Sequence, residues 1–234
     1  LEAFRSGKTI DKLYVLDGCQ DGPVKSITRE ARKHDTIINY VAKERLDQLS
    51  ETGKHQGVIA VSAAYEYAEV EDILAAAEAK GEAPFIIILD GIEDPHNLGA
   101  IIRTANQAGA HGVIIPKRRA VGLTPTVART SAGAINYTPV AKVTNISNTM
   151  KELKDKGMWF VCADMDGTRM YDLDLTGPIG LVIGNEGDGV SPLVKKNCDM
   201  VASIPMKGDI DSLNASVATG VLAYEIVRQR INKG

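Results

Sequence analysis

The chain has 234 residues, of which 44% are hydrophobic and 24% are charged, and its formal net charge is −3. This length and composition are typical of a globular protein with one large domain or two smaller ones. The slightly negative net charge does not indicate a protein that binds nucleic acid. No apolar run approaches the roughly 20 residues that a membrane-spanning helix needs, so a membrane partner is not expected. The chain opens without a methionine and without a basic-then-apolar leader, so we expect a cytoplasmic protein whose native sequence begins upstream of Leu1.

Cysteine and histidine are too few and too scattered to indicate a metal site or a disulfide framework. The three cysteines contain no C-x-x-C pair, and the four histidines show none of the spacings typical of zinc ligands. We therefore expect no metal, with the cysteines acting as buried apolar side chains. These residues are Cys19, Cys162 and Cys198, and His34, His55, His96 and His111.

Acidic residues are concentrated in one connecting segment. Residues 1–62 hold 10 basic and 9 acidic side chains, residues 63–83 hold 1 and 6, and residues 84–234 hold 16 and 15. This distribution, together with the element pattern below, predicts a domain over 1–62, a linker over 63–83 and a second domain over 84–234.

The first 62 residues alternate between short strand and helix patterns. A helix is expected at the very start, ended by Gly7. The fragment Ser6-Gly-Lys-Thr9 resembles the end of a phosphate-binding loop, but the earlier glycine of that motif is missing, so we reject it. The predicted strands cover 12–16, 36–40 and 57–61, and the predicted helices cover 23–34 and 42–49.

The rest of the chain begins with the linker, whose alanine-rich helix pattern over 69–80 ends at Gly81. Residues 84–234 then alternate regularly, which predicts an α/β fold with a mostly parallel sheet covered by helices on both faces. The predicted strands are 85–89, 113–115, 139–143, 159–162, 179–183 and 201–204, and the predicted helices are 98–108, 124–131, 146–156 and two that open near Ser191 and Ser212.

The strands that end at 183 and 204 both run into loops rich in glycine or polar side chains. Parallel α/β sheets bind ligands beyond the carboxyl ends of their strands, and glycine lets the backbone approach a ligand closely. The two loops therefore predict a small-molecule site, with ordinary connecting loops as the alternative. Upstream, Asn97 is a predicted N-cap, and Arg103 either pairs with a carboxylate such as Asp94 or holds a phosphate.

Three ordered motifs across these loops resemble those of the SpoU (TrmH-type) ribose methyltransferases. They are NLGAIIRTA at 97–105, IGNEGDG at 183–189, and IPM at 204–206 with SLNASV at 212–217. The N-terminal unit is similar to the small L30e-like RNA-binding domain of the branch that modifies 23S rRNA. The resemblance implies a homodimeric enzyme that uses S-adenosylmethionine to methylate the 2′-oxygen of a guanosine in the peptidyl-transferase region of large-subunit rRNA, and a SPOUT fold whose C-terminal segment forms a trefoil knot.

The resemblance also implies roles for individual residues. The catalytic positions of the family match Asn97, Arg103, Glu186, Ser212 and Asn214, and the cofactor-binding positions match Gly184, Ile204, Met206, Leu213 and Ser216.

Basic residues outside the motifs are candidates for RNA contacts. A solvated helix face is the favoured explanation for those of the first domain, and contact with RNA phosphates is the alternative. They are Arg29, Arg32 and Lys33 in the first domain and Lys117, Arg118 and Arg119 in the second.

Three other functions stay open at this point. One is a ribose methyltransferase that acts on tRNA or confers antibiotic resistance by modifying rRNA. Another is an RNA-binding protein without catalysis, against which the complete motifs count. A nucleotide-dependent dehydrogenase is disfavoured, because no G-x-G-x-x-G follows the first strand of either domain.

Overall fold

The computed structural model describes residues 1–6, 8–50 and 52–233. They form two compact units, Leu1–Glu66 with Gly122–Thr124, and Tyr67–Val121 with Pro125–Gly234. The predicted end of the first helix at Gly7 lies outside the described residues. None of the described helices is long and apolar enough to cross a membrane.

The described part of the first unit forms a small sheet and three helices. Its elements are α1 (Glu2–Arg5), β1 (Ile10–Leu16), α2 (Gly22–Lys33), β2 (Ile37–Val41), α3 (Lys43–Leu49) and β3 (Val58–Ser62).

Strand β1 lies in the centre of this sheet, parallel to β2 and antiparallel to β3. Its alternate residues Leu13 and Val15 are buried in a cluster with Val24 and Ala31 of α2. One face of the sheet is thus covered by an apolar face of α2, whose other side chains face solvent.

The second unit has six strands and six α-helices among its described residues. They are α4 (Val70–Lys80), β4 (Phe85–Asp90), α5 (Pro95–Gln107), β5 (Gly112–Pro116), α6 (Pro125–Thr130), β6 (Val140–Val143), α7 (Ile146–Asp155), β7 (Trp159–Arg169), β8 (Ile179–Gly184), α8 (Pro192–Lys196), β9 (Met200–Ser203) and α9 (Ala215–Lys233).

The six strands form one sheet in the order β6-β5-β4-β8-β7-β9, and the recorded pairings are parallel. The central strands β4 and β8 are apolar along nearly their whole length, because helices cover both faces of a parallel sheet. Since the strands run in the same direction, their carboxyl ends meet at one edge. The predicted parallel α/β sheet is confirmed.

Helix α4 lies within the predicted linker, residues 63–83. Its Ile73 and Ala77 are fully buried, and Ile73 belongs to the apolar cluster of the sheet. The side chain of Ile73 lies so close to Gly112 of β5 that a Cβ at Gly112 would be 2.6 Å from it. Helix α4 is therefore part of the core of the second unit.

One helix start and one strand end differ from expectation. Helix α5 begins at Pro95, with Asp94 as N-cap accepting a hydrogen bond from the His96 N–H, so Asn97 is an internal residue of the helix. Proline favours the first helical position, so Pro95 marks the start of this helix. Strand β7 extends to Arg169, beyond the predicted 162, because β9 pairs with its polar second half.

The buried position of Ile73 generates a stability prediction. We expect Ile73→Ala to lower the free energy of unfolding of the protein by about 2–5 kcal/mol, because the substitution leaves a cavity against the sheet. Urea denaturation measures this change. Glu78→Ala, an exposed change in the same helix, is the control and is expected to stay within about 0.5 kcal/mol. Equal unfolding midpoints for the two variants would show that α4 contributes nothing to the core.

Candidate active site

A pocket of about 490 Å³ lies at the carboxyl ends of β8 and β9 and beside the middle of β7. Apolar side chains form part of its wall, and backbone from two loops forms another part. Its lining includes Asp164, Ile183, Gly184, Asn185, Glu186, Ala202, Ile204, Met206, Asp211, Ser212, Leu213 and Ala215. The volume is within the range typical of small-ligand sites.

The loop after β8 is held in a tight turn. The Asn185 Oδ1 atom accepts hydrogen bonds from the N–H groups of Gly187 and Asp188 at 2.8 and 2.7 Å, and the Gly189 N–H donates to the Asn185 carbonyl. The turn folds back onto the strand end, so a Cβ at Gly184 would lie only 2.0 Å from the Gly189 carbonyl carbon. Only glycine fits at position 184 without displacing the loop.

A hydrogen-bonded cluster joins the three sequence motifs. The Asn97 Nδ2 group donates to Glu186 Oε1 at 2.8 Å, and the Asn214 Nδ2 group donates to Asn97 Oδ1 at 3.0 Å. Asn214 Nδ2 also donates to Glu186 Oε1. Asn97 is buried, with 7% of its surface exposed, whereas Glu186 is exposed at the pocket wall. The structure thus places three predicted site residues in direct contact.

Asn214 has a second function as the N-cap of α9. Its Oδ1 atom accepts from the Ser216 N–H at 2.9 Å, the Ser216 hydroxyl at 2.6 Å and the Val217 N–H at 3.4 Å. The predicted cap was Ser212, which instead lies at the pocket wall. Both residue types cap helices well, so this cap assignment was wrong because tertiary contacts select Asn214.

Arg103 lies outside this cluster. It is six residues beyond Asn97 on α5, which is about 9 Å along the axis and about 120° around it from Asn97. The side chain is exposed, and among the residues that the structure describes it has no hydrogen-bond or ion-pair partner. The proposed ion pair with Asp94 is therefore not formed, and Arg103 remains available to bind an anion.

The charge of the pocket wall is negative. Its described lining includes Asp164, Glu186, Asp188 and Asp211 and contains no lysine or arginine. The Lys195 ammonium group lies 2.7 Å from Asp164, lowering the pKa of that carboxyl group and having its own pKa raised in return. The other three carboxylates have no such partner in the described ion pairs, so the pocket favours a cationic ligand.

The remaining predicted residues fall in three places. Gly184, Ile204, Met206 and Leu213 line the pocket, whereas Ser216 is not among the lining residues and its hydroxyl donates to Asn214. The loop 117–119 follows β5, and its Arg118 and Arg119 are exposed. Residues Arg29, Arg32 and Lys33 lie on α2 of the first unit.

Three residues at the site were not predicted. Asn185 shapes the glycine turn, Asp164 contributes charge, and Asp90 accepts a hydrogen bond from the Ser191 N–H at 2.8 Å. An asparagine two residues before a glycine is a recognisable turn signal, so Asn185 was predictable. Asp164 lies in the polar second half of β7, which carries no such signal.

The fold and the site define a parallel α/β domain with a ligand pocket at its strand ends, preceded in the chain by a smaller α/β unit. Residues 84–224 match the model of the SpoU rRNA Methylase family, and residues 1–68 match the RNA 2′-O ribose methyltransferase substrate binding model. The chain therefore belongs to the SpoU rRNA Methylase family, and the predicted resemblance is confirmed.

Known proteins resemble the chain over most of its length. It is 49% identical over 231 residues to the "Putative TrmH family tRNA/rRNA methyltransferase YacO" of Bacillus subtilis, covering 98% of this chain and 92% of that protein. The crystal structure of the SpoU methyltransferase AviRb from Streptomyces viridochromogenes in complex with the cofactor AdoMet has a TM-score of 0.66 and 28% identity, covering 98% of this chain and 87% of that one. The A. aeolicus TrmH/SpoU tRNA modifying enzyme has a TM-score of 0.59 and 32% identity, covering 65% and 78%.

The tight turn at Gly184 generates a prediction with a matched control. We expect Gly184→Ala to destabilise the protein by about 1–3 kcal/mol, because the added methyl group overlaps the Gly189 backbone. Gly187→Ala is expected to stay close to the parent protein, because its added Cβ meets nothing nearer than 3.6 Å. Thermal unfolding followed by circular dichroism measures both. Equal transitions for the two variants would contradict the close packing at Gly184.

Proposed function

We propose that the protein catalyses S-adenosylmethionine-dependent 2′-O-methylation of a guanosine in the peptidyl-transferase region of 23S rRNA. The observation that carries the proposal is the contact among Asn97, Glu186 and Asn214 beside an acidic pocket at the strand ends. These three residues come from the three separate motifs of the family.

The pocket fits S-adenosylmethionine. Ile204, Leu213 and Met206 offer an apolar surface to the adenosine part, and Gly184 allows close backbone approach. The excess of carboxylates complements the positive charge of the sulfonium and amino groups. The AviRb structure with AdoMet supports the same cofactor in a chain of this fold. When bound, the cofactor supplies a methyl group that is already electrophilic.

Glu186 and its two amide partners position the ribose in this proposal. Both amide donors use the Oε1 atom, and no hydrogen bond to the Oε2 atom is recorded among the described residues. Glu186 is therefore oriented with one carboxylate oxygen available to accept a hydrogen bond from a ribose hydroxyl. Ser212 at the pocket wall supplies a second polar contact to substrate or cofactor.

Arg103 acts in this proposal as a clamp on the RNA phosphate. A guanidinium group stays protonated in proteins, so it does not serve as a general base. Its positive charge and forked geometry hold the phosphate and lower the pKa of the reacting 2′-hydroxyl, while the phosphate or a water molecule accepts the proton.

The substrate class rests on the N-terminal module. Residues 1–68 match the substrate-binding model. The match to the A. aeolicus tRNA modifying enzyme, in contrast, covers only 65% of this chain. The extra module supports rRNA, and exposed Arg118 and Arg119 are proposed to contact it. A tRNA or antibiotic-resistance rRNA ribose methyltransferase is the second candidate, because the name of the B. subtilis relative includes both tRNA and rRNA.

A homodimer is part of the same proposal. Three apolar residues of α9, spaced seven apart, lie along one stripe of that helix, and Val217, Tyr224 and Ile231 are 50%, 51% and 72% exposed. A partner subunit is proposed to cover this stripe. The trefoil knot implied by the family resemblance and a cytoplasmic location, where ribosomes are assembled, belong to this proposal as well.

The first test measures transfer of labelled methyl from S-adenosylmethionine to a 23S rRNA transcript, with bulk tRNA in parallel. We expect label on one rRNA guanosine 2′-oxygen, mapped by its resistance to alkaline hydrolysis. Arg103→Ala is expected to lower the rate by about 10²–10³-fold, because a charge that stabilises the transition state is removed. Arg103→Lys is expected to remain at least about 10-fold slow, because lysine lacks the fork.

Arg169→Ala provides the control, since this exposed arginine pairs with Asp172 and is expected to leave the rate unchanged. Near-normal turnover by Arg103→Lys would contradict the clamp. Label found only on tRNA would retain the chemistry and replace the substrate. No label on either RNA, with the cofactor still bound, would favour a binding protein without catalysis.

Asn214→Asp separates capping from positioning. Aspartate caps helices as well as asparagine does, so we expect the capping contribution to stability, about 1 kcal/mol, to be retained. The variant lacks the Nδ2 donor and places a second carboxylate against Glu186, so we expect methyl transfer to fall by about 10-fold or more. Asn214→Ala is the comparison and is expected to lose both activity and about 1 kcal/mol of stability. Full activity of Asn214→Asp would show that Asn214 serves only as a cap.

A further inference from the structure

A second cavity of about 490 Å³ lies within the first unit, away from the motifs. It is bounded by the loop after β1, by one face of α2 and by Tyr40 in β2. The loop carries Gly18 in the left-handed region at φ 70°, and a side chain there would meet no atom within 4 Å, so the loop side of the cavity is open.

Three basic residues of α2 line this cavity. Lys25, Arg29 and Arg32 are spaced four and three residues apart, which places them on one face of the helix. All three are exposed, and the structure records no ion pair for any of them among its described residues. Asp17 is the acidic residue of the cavity lining, so the cavity carries an excess of positive charge.

Lys33 on the same helix is different. Its ammonium group lies 2.9 Å from Glu30, and Lys33 does not line the cavity. The basic residues of α2 are therefore not equivalent, although the sequence groups Arg29, Arg32 and Lys33 together. Only those that line the cavity retain an uncompensated charge.

Tyr40 gives the cavity an aromatic wall. Its surface is 52% exposed, and its hydroxyl accepts a hydrogen bond from the Arg32 guanidinium at 3.3 Å. No ring of the described chain is recorded as stacked on it, since the recorded ring pair is Phe4 with His34. An exposed ring beside cationic side chains is the arrangement that binds unpaired nucleotides, because the base stacks and the phosphates meet the charges.

We propose that this cavity binds one unpaired nucleotide of the RNA substrate, with its base stacked on Tyr40 and its flanking phosphates contacting Arg29 and Lys25. Arg32 holds the tyrosine ring, and Asp17 accepts hydrogen bonds from the base or ribose. The assignment rests on the proposed function for its choice of RNA, and it identifies where the first unit recognises that RNA.

The test measures the dissociation constant of the full-length protein for a 23S rRNA transcript over a series of salt concentrations. Arg29→Ala is expected to weaken binding about 10-fold at low salt. It is also expected to reduce the slope of log affinity against log salt by about 0.7, the value for one phosphate contact on a single strand. Lys33→Ala removes the same charge from the same helix and is expected to bind within about twofold of the parent protein.

Tyrosine variants test the stacking contact. Tyr40→Ala is expected to weaken binding about 5- to 100-fold, whereas Tyr40→Phe keeps the ring and is expected to bind nearly as the parent does. A fully base-paired RNA competitor is expected to displace the transcript less well than a single-stranded one.

The outcomes separate this proposal from the proposed function. If the parent protein methylates rRNA while Arg29→Ala and Lys33→Ala bind alike, or while Tyr40→Ala binds normally, the cavity assignment is overturned and the enzyme activity stands. If the parent binds S-adenosylmethionine but no RNA, both are overturned. Cofactor affinity is measured in every variant and is expected to be unchanged. A parallel loss of cofactor affinity would indicate a misfolded variant, and the competition on the parent protein then decides: equal displacement by single-stranded and fully base-paired RNA overturns the cavity assignment.

Discussion

Two asparagine amides and one carboxylate hold together segments that are far apart in the chain. Asn97 is separated from Glu186 by 89 residues and from Asn214 by 117, yet the three side chains contact one another. Because Asn97 is buried, an unpaired amide there costs about 1–3 kcal/mol, so the loops carrying its partners are fixed in place. Those same loops form much of the pocket wall.

This arrangement ties the shape of the pocket to the start of α9. The helix begins where Asn214 caps it, and the same side chain contacts Glu186 through its other end. The positive end of the α9 dipole therefore lies beside a carboxylate, which is favourable near a helix N-terminus. Around this cluster, the turn closed by Asn185 and the absence of a Cβ at Gly184 define the rest of the cavity.

Most of the sheet could be predicted, because its central strands are continuous apolar runs that only a parallel sheet buries on both faces. The helix starts could not be fixed in the same way, because Ser212 and Asn214 are both good caps and the choice depends on Asn97 and Glu186. Helix α4 belongs to the core because Ile73 packs against Gly112. The sequence of this short alanine-rich segment does not predict that contact. The motifs predicted Asn97, Glu186 and Asn214 as site residues, but not their contact with one another. Arg103 lies six residues after Asn97 in the same helix, which places it about 120° around the helix axis from Asn97. The spacing within the motif reveals this only when the helix is known.

The irregular pairing of β7 with β9 has a consequence for sequence divergence. Ala202 pairs with Ala163 and again with Thr168, so the chain between them leaves the ladder and returns to the same partner. A change in the length of this excursion would leave the register on either side intact, unlike an insertion elsewhere in the strand, which moves every following side chain to the opposite face. Since Asp164 and Met165 of the excursion line the pocket, this is a position where insertions and deletions can reshape the cavity wall while the sheet is preserved.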